Sequence, residues 1–303
     1  MKHRLNNRRK FVIAILAMGA LASACSDPTI IGSSADTIDD QEFYDSDQSD
    51  ESTTSESTPS VSADEIVWTK CKADPQGESQ CGELAVPFDY QDPSLGSFTL
   101  FLTRRPAGDQ KFKVGSMLVN PGGPGFGGSS VAADAEYYFS DELLDRFDII
   151  GWDPRGTGKS TPAVDCVDEY DDYFGIDSTP ESPEEKQAII DSGQKFNDEC
   201  EANSGEILPH ISTQATARDM DSIRRALGEE KITYFGFSYG SELGATWATM
   251  FPETVRAAVL DGASDPNATS LDQGLAQAQG FEKQLDAFLS KCSKRVACVF
   301  NSN

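Results

Sequence analysis

Short apolar runs with the composition of β-strands alternate with longer segments of helical spacing from about residue 98 onward. The strand-like runs are rich in β-branched, aromatic and aliphatic residues and are bounded by glycine, proline or polar clusters. They predict strands over residues 98–104, 116–120, 147–153, 232–237 and 257–260. Helices are predicted over residues 214–227, 239–250 and 271–289. This alternation predicts an α/β fold with a mostly parallel sheet and helices on both faces.

The predicted helix over residues 214–227 has the clearest boundaries. Thr213 stands where an N-cap belongs, and Gly228 stands where a C-terminal stop belongs. Its apolar residues recur at helical spacing, at Ala217, Met220, Ile223 and Leu227. An acidic stretch over residues 165–203 is predicted to be a helical insertion between core elements.

Residues 1–25 are typical of a lipoprotein signal peptide. The first ten residues hold five Lys or Arg and no acid, and residues 11–24 are uncharged and largely apolar. That run is too short to span a bilayer as a helix, which takes about 20 residues. It ends in A-S-A-C, which resembles a bacterial lipobox whose cysteine, here Cys25, receives a lipid. We expect export and a lipid anchor on the outer face of the bacterial cytoplasmic membrane. The alternative is an ordinary cleaved signal with an incidental Cys25 and a secreted product.

Residues 26–65 are predicted to form a disordered tether. This segment contains twelve acids, no Lys or Arg, and many Ser and Thr. Such a composition buries too little apolar surface to offset the entropy of ordering. Over the whole chain of 303 residues the formal net charge is -25, so we expect no nucleic-acid partner, because phosphate binding needs surplus cations. The folded domain is predicted over residues 66–303.

Cysteine and histidine usage agrees with export and argues against a metal site. Six cysteines remain when Cys25 is set aside, and an even number in an exported protein favours disulfides. Six cysteines allow 15 connectivities. Pairing between sequence neighbours is preferred: Cys71–Cys81, Cys166–Cys200 and Cys292–Cys298. The chain has two histidines and no C-x-x-C pair, so neither a metal nor a cofactor is expected.

A candidate nucleophile follows the predicted strand over residues 232–237. Residues 236–240 have the sequence G-F-S-Y-G, a G-x-S-x-G motif placed between a strand and a helix. On such a turn the serine hydroxyl is presented at the carboxyl edge of the sheet, above the positive end of the helix. The motif predicts Ser238 as the nucleophile. It also predicts the backbone N–H of Tyr239 as one donor to the oxyanion.

The second donor is expected in a glycine-rich loop, N-P-G-G-P-G, at residues 120–125. Gly123 is the preferred donor and Gly122 the near alternative. The spacing also matches a dinucleotide-binding fingerprint, for which Asp153 would be the ribose-binding acid. Pro124 within the loop and the later nucleophile motif favour the hydrolase. A P-loop is excluded because Asp153 occupies the position of its first glycine.

Five motifs together resemble those of secreted actinobacterial tripeptidyl aminopeptidases, α/β-hydrolases related to proline iminopeptidases. They lie at residues 120–125, 152–160, 217–224, 236–241 and 259–266. The resemblance runs from about Trp68 to the end. It implies an α/β-hydrolase fold and a serine exopeptidase that releases short peptides from free N-termini through Ser238. It also implies that Arg155 and Asp219 are scaffold residues.

The chain departs from that family at the catalytic base. An α/β-hydrolase orders its triad as nucleophile, acid and histidine, and no histidine follows Ser238. Without a base, a serine hydroxyl is a weak nucleophile at neutral pH. His210 lies before the nucleophile and is interpreted as a loop residue, while Asp261 is interpreted as structural.

Two hypotheses follow from the missing base. In the first, residues 66–303 are the N-terminal portion of a hydrolase domain with the start of a lid, C-terminally incomplete and inactive alone. The peptidase, which would act on peptide substrates, is then either truncated in this sequence or completed by a separately encoded C-terminal half. In the second, the chain is a non-catalytic remnant or a cell-surface binding protein of the same fold.

Overall fold

A mixed seven-stranded sheet forms the centre of the fold. The computed structural model describes residues 65–72, 77, 79–263 and 268–300. The predicted signal peptide, Cys25 and all of the predicted tether except its last residue lie outside the described residues. The strands are β1 (Thr69–Lys70), β2 (Gln80–Pro87), β3 (Ser97–Arg105), β4 (Gly115–Asn120), β5 (Phe147–Trp152), β6 (Ile232–Phe237) and β7 (Val255–Asp261).

The strand order is β1-β2-β3-β5-β4-β6-β7. The last four strands of this order pair in parallel, whereas β1, β2, β3 and β5 pair antiparallel in succession. The predicted α/β fold is therefore confirmed. Neither β1 nor β2 is predicted from the sequence. β1 has only two residues, and in β2 the buried Leu84 and Val86 alternate with exposed Glu83 and Ala85.

Helices cover both faces of the sheet and pack two separate hydrophobic clusters against it. In β6, Ile232 and Tyr234 face the larger cluster, while Phe235 and Phe237 face the smaller one, as the two-residue period of a strand requires. The helices are α1 (Ser129–Ala133), α2 (Asp141–Arg146), α3 (Asp171–Phe174), α4 (Pro183–Ser204), α5 (Thr213–Ala226), α6 (Tyr239–Met250) and α7 (Ser270–Cys292). The predicted helical insertion corresponds to α3 and α4.

The start of α5 differs from the prediction by one residue. Ser212, not Thr213, is the N-cap, because its side chain accepts a hydrogen bond from the Ala215 N–H at 3.1 Å. Thr213 is instead the first residue of the helix, and its hydroxyl is engaged elsewhere. Gly228 has φ of 70°, a left-handed conformation that glycine adopts without the steric penalty of a side chain. The predicted C-terminal stop of the helix is therefore correct.

Three disulfides join the sequence neighbours expected above. They link Cys71 to Cys81, Cys166 to Cys200, and Cys292 to Cys298. The first spans the β1–β2 pair. The second ties the beginning of the α3–α4 insertion to the last turn of α4, so the insertion leaves and rejoins the domain at one place.

Among the described residues, no strand pairs with the outer edge of β7. There β7 pairs with β6 alone, and its residues from Arg256 to Asp261 are exposed. Val259 is 46% exposed, although it belongs to a run with the composition of a buried strand. Helix α7 has no buried residue. Within the described part of the chain, no helix has the length and hydrophobicity needed to cross a membrane.

Candidate active site

The turn between β6 and α6 holds Ser238 in a strained conformation. Ser238 has φ of 54° and is the sole non-glycine residue with positive φ in the described part of the chain. Such backbone geometry costs of order 1–3 kcal/mol and persists only where the surroundings enforce it. The flanking glycines explain how the turn closes. A Cβ on Gly236 would collide with the Gly240 carbonyl oxygen, and one on Gly240 would lie 2.7 Å from the Asn120 carbonyl oxygen.

Hydrogen bonds on both sides fix the backbone of Ser238. Its N–H donates to the Asp261 carbonyl oxygen of β7 at 2.8 Å. Its carbonyl oxygen accepts from the Ser241 N–H at 2.8 Å and from the Ser241 hydroxyl at 2.6 Å. The side chain of Ser238 is exposed, and among the described residues it forms no hydrogen bond. The serine is thus presented to solvent on a rigid turn.

The glycine-rich loop after β4 packs directly against this turn. The register of β4 and β6 places Asn120 beside Gly236. Gly122 follows with φ of 95°, and a Cβ there would lie 3.0 Å from both the Ser238 Cβ and the Tyr239 nitrogen. The structure therefore brings together the loop, the serine and the first N–H groups of α6.

The two candidate oxyanion donors of the loop differ in their partners. The Gly122 N–H donates to the Asn120 Oδ1 at 2.9 Å. In the described part of the chain, the Gly123 N–H has no such acceptor, and Gly123 is exposed. Tyr239 is the first residue of α6, so its N–H has no intrahelical acceptor either. These contacts favour Gly123 over Gly122 as the partner of Tyr239.

A family model described as alpha/beta hydrolase fold matches residues 115–303, from β4 onward through the loop and the turn. The chain belongs to the α/β-hydrolase family. In this family G-x-S-x-G marks the nucleophile turn, and the loop after an earlier strand supplies an oxyanion donor.

Curated relatives of this α/β-hydrolase include peptidases, as the motifs imply. The chain is 39% identical over 247 residues to serine protease Hip1 of Mycobacterium tuberculosis, covering 78% of this chain and 47% of Hip1. It is 37% identical over 227 residues to tripeptidyl aminopeptidase of Streptomyces coelicolor, covering 70% of this chain and 41% of the relative. It is 31% identical over 263 residues to the Escherichia coli putative hydrolase YuaR, covering 80% and 50%. The chain spans about half the length of these relatives.

Asp153 joins the start of α1, just after the glycine-rich loop, to the loop that follows β5. The buried carboxylate accepts from the Ser129 N–H at 3.2 Å and from the Lys159 N–H at 2.8 Å. Gly127 and Gly158 approach it so closely that a Cβ on either would collide with the carboxylate. Sequence reasoning considered Asp153 only as a nucleotide-binding acid. The sequence feature that could have predicted this role is the position of Asp153 at the end of a strand and between two glycine-rich segments.

Arg155 and Asp219 form a fully buried ion pair. The Arg155 Nη2 lies 2.6 Å from the Asp219 Oδ1, and the Arg155 Nε donates to Oδ2 at 2.8 Å. The Tyr90 hydroxyl donates to Asp219 Oδ1 at 2.7 Å. Burial alone would lower the pKa of Arg155, but the hydrogen bonds and charge of Asp219 outweigh burial and raise it. These contacts agree with the scaffold role that the resemblance implies for both residues.

The ring of His210 takes part in packing and not in a contact with Ser238. It stacks on Phe88 with ring centroids 5.5 Å apart, and its backbone oxygen accepts from Arg155 Nη1 at 2.9 Å. Among the described residues, no hydrogen bond joins the imidazole to Ser238. Asp261 contributes its backbone oxygen to the nucleophile turn.

Tyr239 links the nucleophile turn to the start of α5, a contact that sequence reasoning missed. Its hydroxyl lies 2.8 Å from the Thr213 Oγ1. Burial raises the pKa of the Tyr239 phenol above its ordinary value, so the group is protonated at neutral pH and is not a candidate base. In the described part of the chain, no group of three His, Cys, Asp or Glu side chains could hold a metal ion.

Replacing Gly122 with alanine should separate the loop from the nucleophile turn. An alanine Cβ would lie 2.5 Å from the Phe237 carbonyl oxygen and would also require the strained φ of 95°. We expect a loss of about 2–4 kcal/mol in the free energy of unfolding, measured by urea denaturation.

Gly125→Ala is the matched control for Gly122→Ala. Gly125 has a comparable φ of 103°, but nothing lies within 4 Å of its Cβ position. The control therefore carries the backbone strain without the collision and should lose about 1 kcal/mol. Equal losses in the two variants would show that the contact between loop and turn contributes nothing.

Proposed function

We propose that this chain carries the nucleophile and oxyanion donors of an exported serine exopeptidase that releases tripeptides from free N-termini. The observation that carries the proposal is the exposed Ser238 with φ of 54°, packed against a glycine-rich loop whose Gly123 N–H is unoccupied among the described residues. The names of two relatives, a serine protease and a tripeptidyl aminopeptidase, support a peptide substrate.

In the proposed reaction the Ser238 Oγ attacks the carbonyl carbon of the bond that follows the third residue. Its proton passes to a general base, and the oxyanion accepts hydrogen bonds from the Gly123 and Tyr239 N–H groups. The peptide amine then leaves with that proton, and the tripeptide remains as an ester on Ser238. Water hydrolyses the ester and regenerates the serine.

The general base and its acid are proposed to come from outside these 303 residues. No histidine follows Ser238 in the sequence, and the ring of His210 packs on Phe88. The outer edge of β7, which no described strand covers, supports a further polypeptide segment there, and the strand also exposes Val259 and Leu260. We therefore propose that residues 1–303 alone turn over no substrate and that a C-terminal half, either a continuation of this chain or a separately encoded polypeptide, completes the site.

A non-catalytic binding protein of the same fold is the second candidate. The observation that favours it is the Ser238 hydroxyl, which has no hydrogen-bonded base among the described residues. In that case the open site would bind peptides and not cleave them. The reactivity of Ser238 separates the two candidates.

Export with a lipid anchor at Cys25 is part of the proposal. The basic start, short apolar run and lipobox-like end of residues 1–25 support it, and residues 26–65 would act as an acidic tether from the membrane. Three disulfides among the described residues suit an oxidising compartment. No nucleic-acid partner, metal or cofactor is proposed.

A fluorophosphonate probe tests the state of Ser238 directly. The probe phosphonylates an activated serine stoichiometrically, with fluoride as the leaving group, so we expect the 303-residue chain alone to remain unlabelled by intact-mass spectrometry. Supplying the missing half should produce one label per chain, located at Ser238 by peptide mapping.

Variants make this labelling experiment decisive. Ser238→Ala identifies background labelling, and His210→Ala tests whether the existing histidine acts as a base. Labelling or turnover by the chain alone that disappears in Ser238→Ala but survives in His210→Ala would overturn our account of the missing base. If it disappears in both variants, His210 is the base.

A further inference from the structure

A column of aromatic rings runs from the smaller hydrophobic cluster to the nucleophile turn. Phe139 contacts Phe235 with ring centroids 5.3 Å apart, and Phe235 contacts Phe237 at 4.7 Å. Phe237 contacts Tyr138 at 6.2 Å. Tyr138 also contacts Phe139 at 6.4 Å, and Phe237 immediately precedes Ser238 in the chain.

The outer rings of this region are exposed, unlike those at its base. Phe139 is buried, whereas Tyr138 is 52% exposed. Phe126 is 68% exposed and packs against the candidate oxyanion donor, since a Cβ on Gly123 would lie 3.1 Å from the Phe126 Cδ2. Phe126 therefore presents apolar surface beside Gly123, and Tyr138 presents it beside Phe237, the residue that precedes Ser238. We call these two side chains the aromatic shelf.

Exposed apolar surface of this kind is typical of a ligand-binding site when it adjoins polar groups that can orient a ligand. Here those groups are the Ser238 hydroxyl and the N–H groups of Gly123 and Tyr239. A carbonyl group held between them would place the side chain on its acyl side within reach of the rings. Aromatic ring faces bind apolar and aromatic side chains well, whereas they offer no hydrogen-bond donor to an acidic side chain.

We infer that the aromatic shelf binds the side chain of the residue whose carbonyl Ser238 attacks, and that it selects large apolar side chains at that position. The inference rests on the proposed function, because it assigns the substrate preference of the same site. Tyr138 and Phe126 act as specificity-determining residues and take no part in proton transfer. The third residue of a released tripeptide is the one that the shelf recognises.

Tyr137 provides a matched control for Tyr138. The two tyrosines are adjacent in sequence and both are exposed, Tyr137 to 84%. Among the described residues, only Tyr138 has a ring contact with the aromatic column. If losing any surface tyrosine changes tripeptide binding, Tyr137→Ala and Tyr138→Ala should have the same effect. If the aromatic shelf is responsible, only Tyr138→Ala should change the binding preference.

Binding of the tripeptide products to the 303-residue chain, followed by NMR titration, tests the inference without requiring turnover. We expect Ala-Ala-Phe to bind about five- to tenfold more tightly than Ala-Ala-Gly. Tyr138→Ala and Phe126→Ala should remove most of that preference, because they lower the affinity for Ala-Ala-Phe far more than the affinity for Ala-Ala-Gly. Tyr137→Ala should retain the preference. Urea denaturation of each variant verifies that it is folded.

Each other outcome has a defined meaning. Equal affinity for the two tripeptides, a preference that survives in Tyr138→Ala and Phe126→Ala, or an equal loss in Tyr137→Ala would overturn the shelf. Tighter binding of Ala-Ala-Lys than of Ala-Ala-Phe would also overturn it, because the rings would then bind a cation. The proposed function fails separately: a completed enzyme in which Ser238 does not react would refute it even where the binding preference is present.

Discussion

Replacing Ser238 with alanine should lower tripeptide release about 10⁶-fold in an enzyme whose base and acid have been restored. The chain can be joined for this purpose to the half of Hip1 that it does not match, since the two proteins are 39% identical over 247 residues. Loss of the hydroxyl removes the covalent step altogether, and only the binding and oxyanion contributions remain. Release of a chromogenic amine from an Ala-Ala-Phe anilide measures the effect.

His210→Ala is the control for that experiment, because the proposal gives its imidazole no role in proton transfer. It should retain activity within about threefold, since Arg155 bonds to the backbone oxygen and not to the ring. A fusion that folds but hydrolyses nothing would contradict the proposal that a second half completes the site. Hydrolysis that persists in Ser238→Ala would show that another residue is the nucleophile.

Replacing Asp219 with alanine should destabilise the domain by about 3–5 kcal/mol. The carboxylate neutralises the buried Arg155 guanidinium, and alanine would leave that charge without its counter-ion in a site from which solvent is excluded. A loss of this size is a large part of the 5–15 kcal/mol that typically separates folded from unfolded states. The free energy of unfolding in urea measures it.

Lys195→Ala is the matched control for the ion pair. Lys195 pairs with Glu199 at 3.7 Å on α4, with side chains 63% and 40% exposed. Because water already solvates both charges, the loss should stay below about 1 kcal/mol. A loss at Asp219 no larger than this would mean that Arg155 is satisfied by its backbone acceptors alone, the carbonyl oxygens of Pro87, Phe88 and His210.

Local sequence patterns predicted the part of the fold that carries Ser238, the proposed nucleophile. The limits of β6 and α6 agree with the structure because strong periodicity, flanking glycines and the G-x-S-x-G motif all point to one arrangement. The predicted N-cap of α5, Thr213, lies one residue after the observed N-cap, Ser212. Ser212 and Thr213 have equally suitable side chains, and only the backbone conformation decides between them.

Features that depend on distant contacts escaped prediction. β2 is stabilised by pairing with β3, and no local pattern in its eight residues reveals that partner. The anchoring role of Asp153 depends on two loops that meet only in the folded sheet. Sequence spacing alone also left Gly122 and Gly123 as alternatives, whereas the bond from Gly122 to Asn120 distinguishes them.

The hydrogen bond from the Ser238 amide to the Asp261 oxygen links the proposed nucleophile thermodynamically to β7, the last strand of the described sheet. Local opening of β7 breaks that bond, so the amide proton of Ser238 cannot be more protected from exchange than the pairing of β7 with β6. Any ligand that adds to the free edge of β7 shifts this opening equilibrium by mass action. A ligand bound along the edge of β7 should therefore raise the fraction of molecules in which the Ser238 amide is bonded to Asp261. By the same linkage, molecules with that bond formed should bind the ligand more tightly.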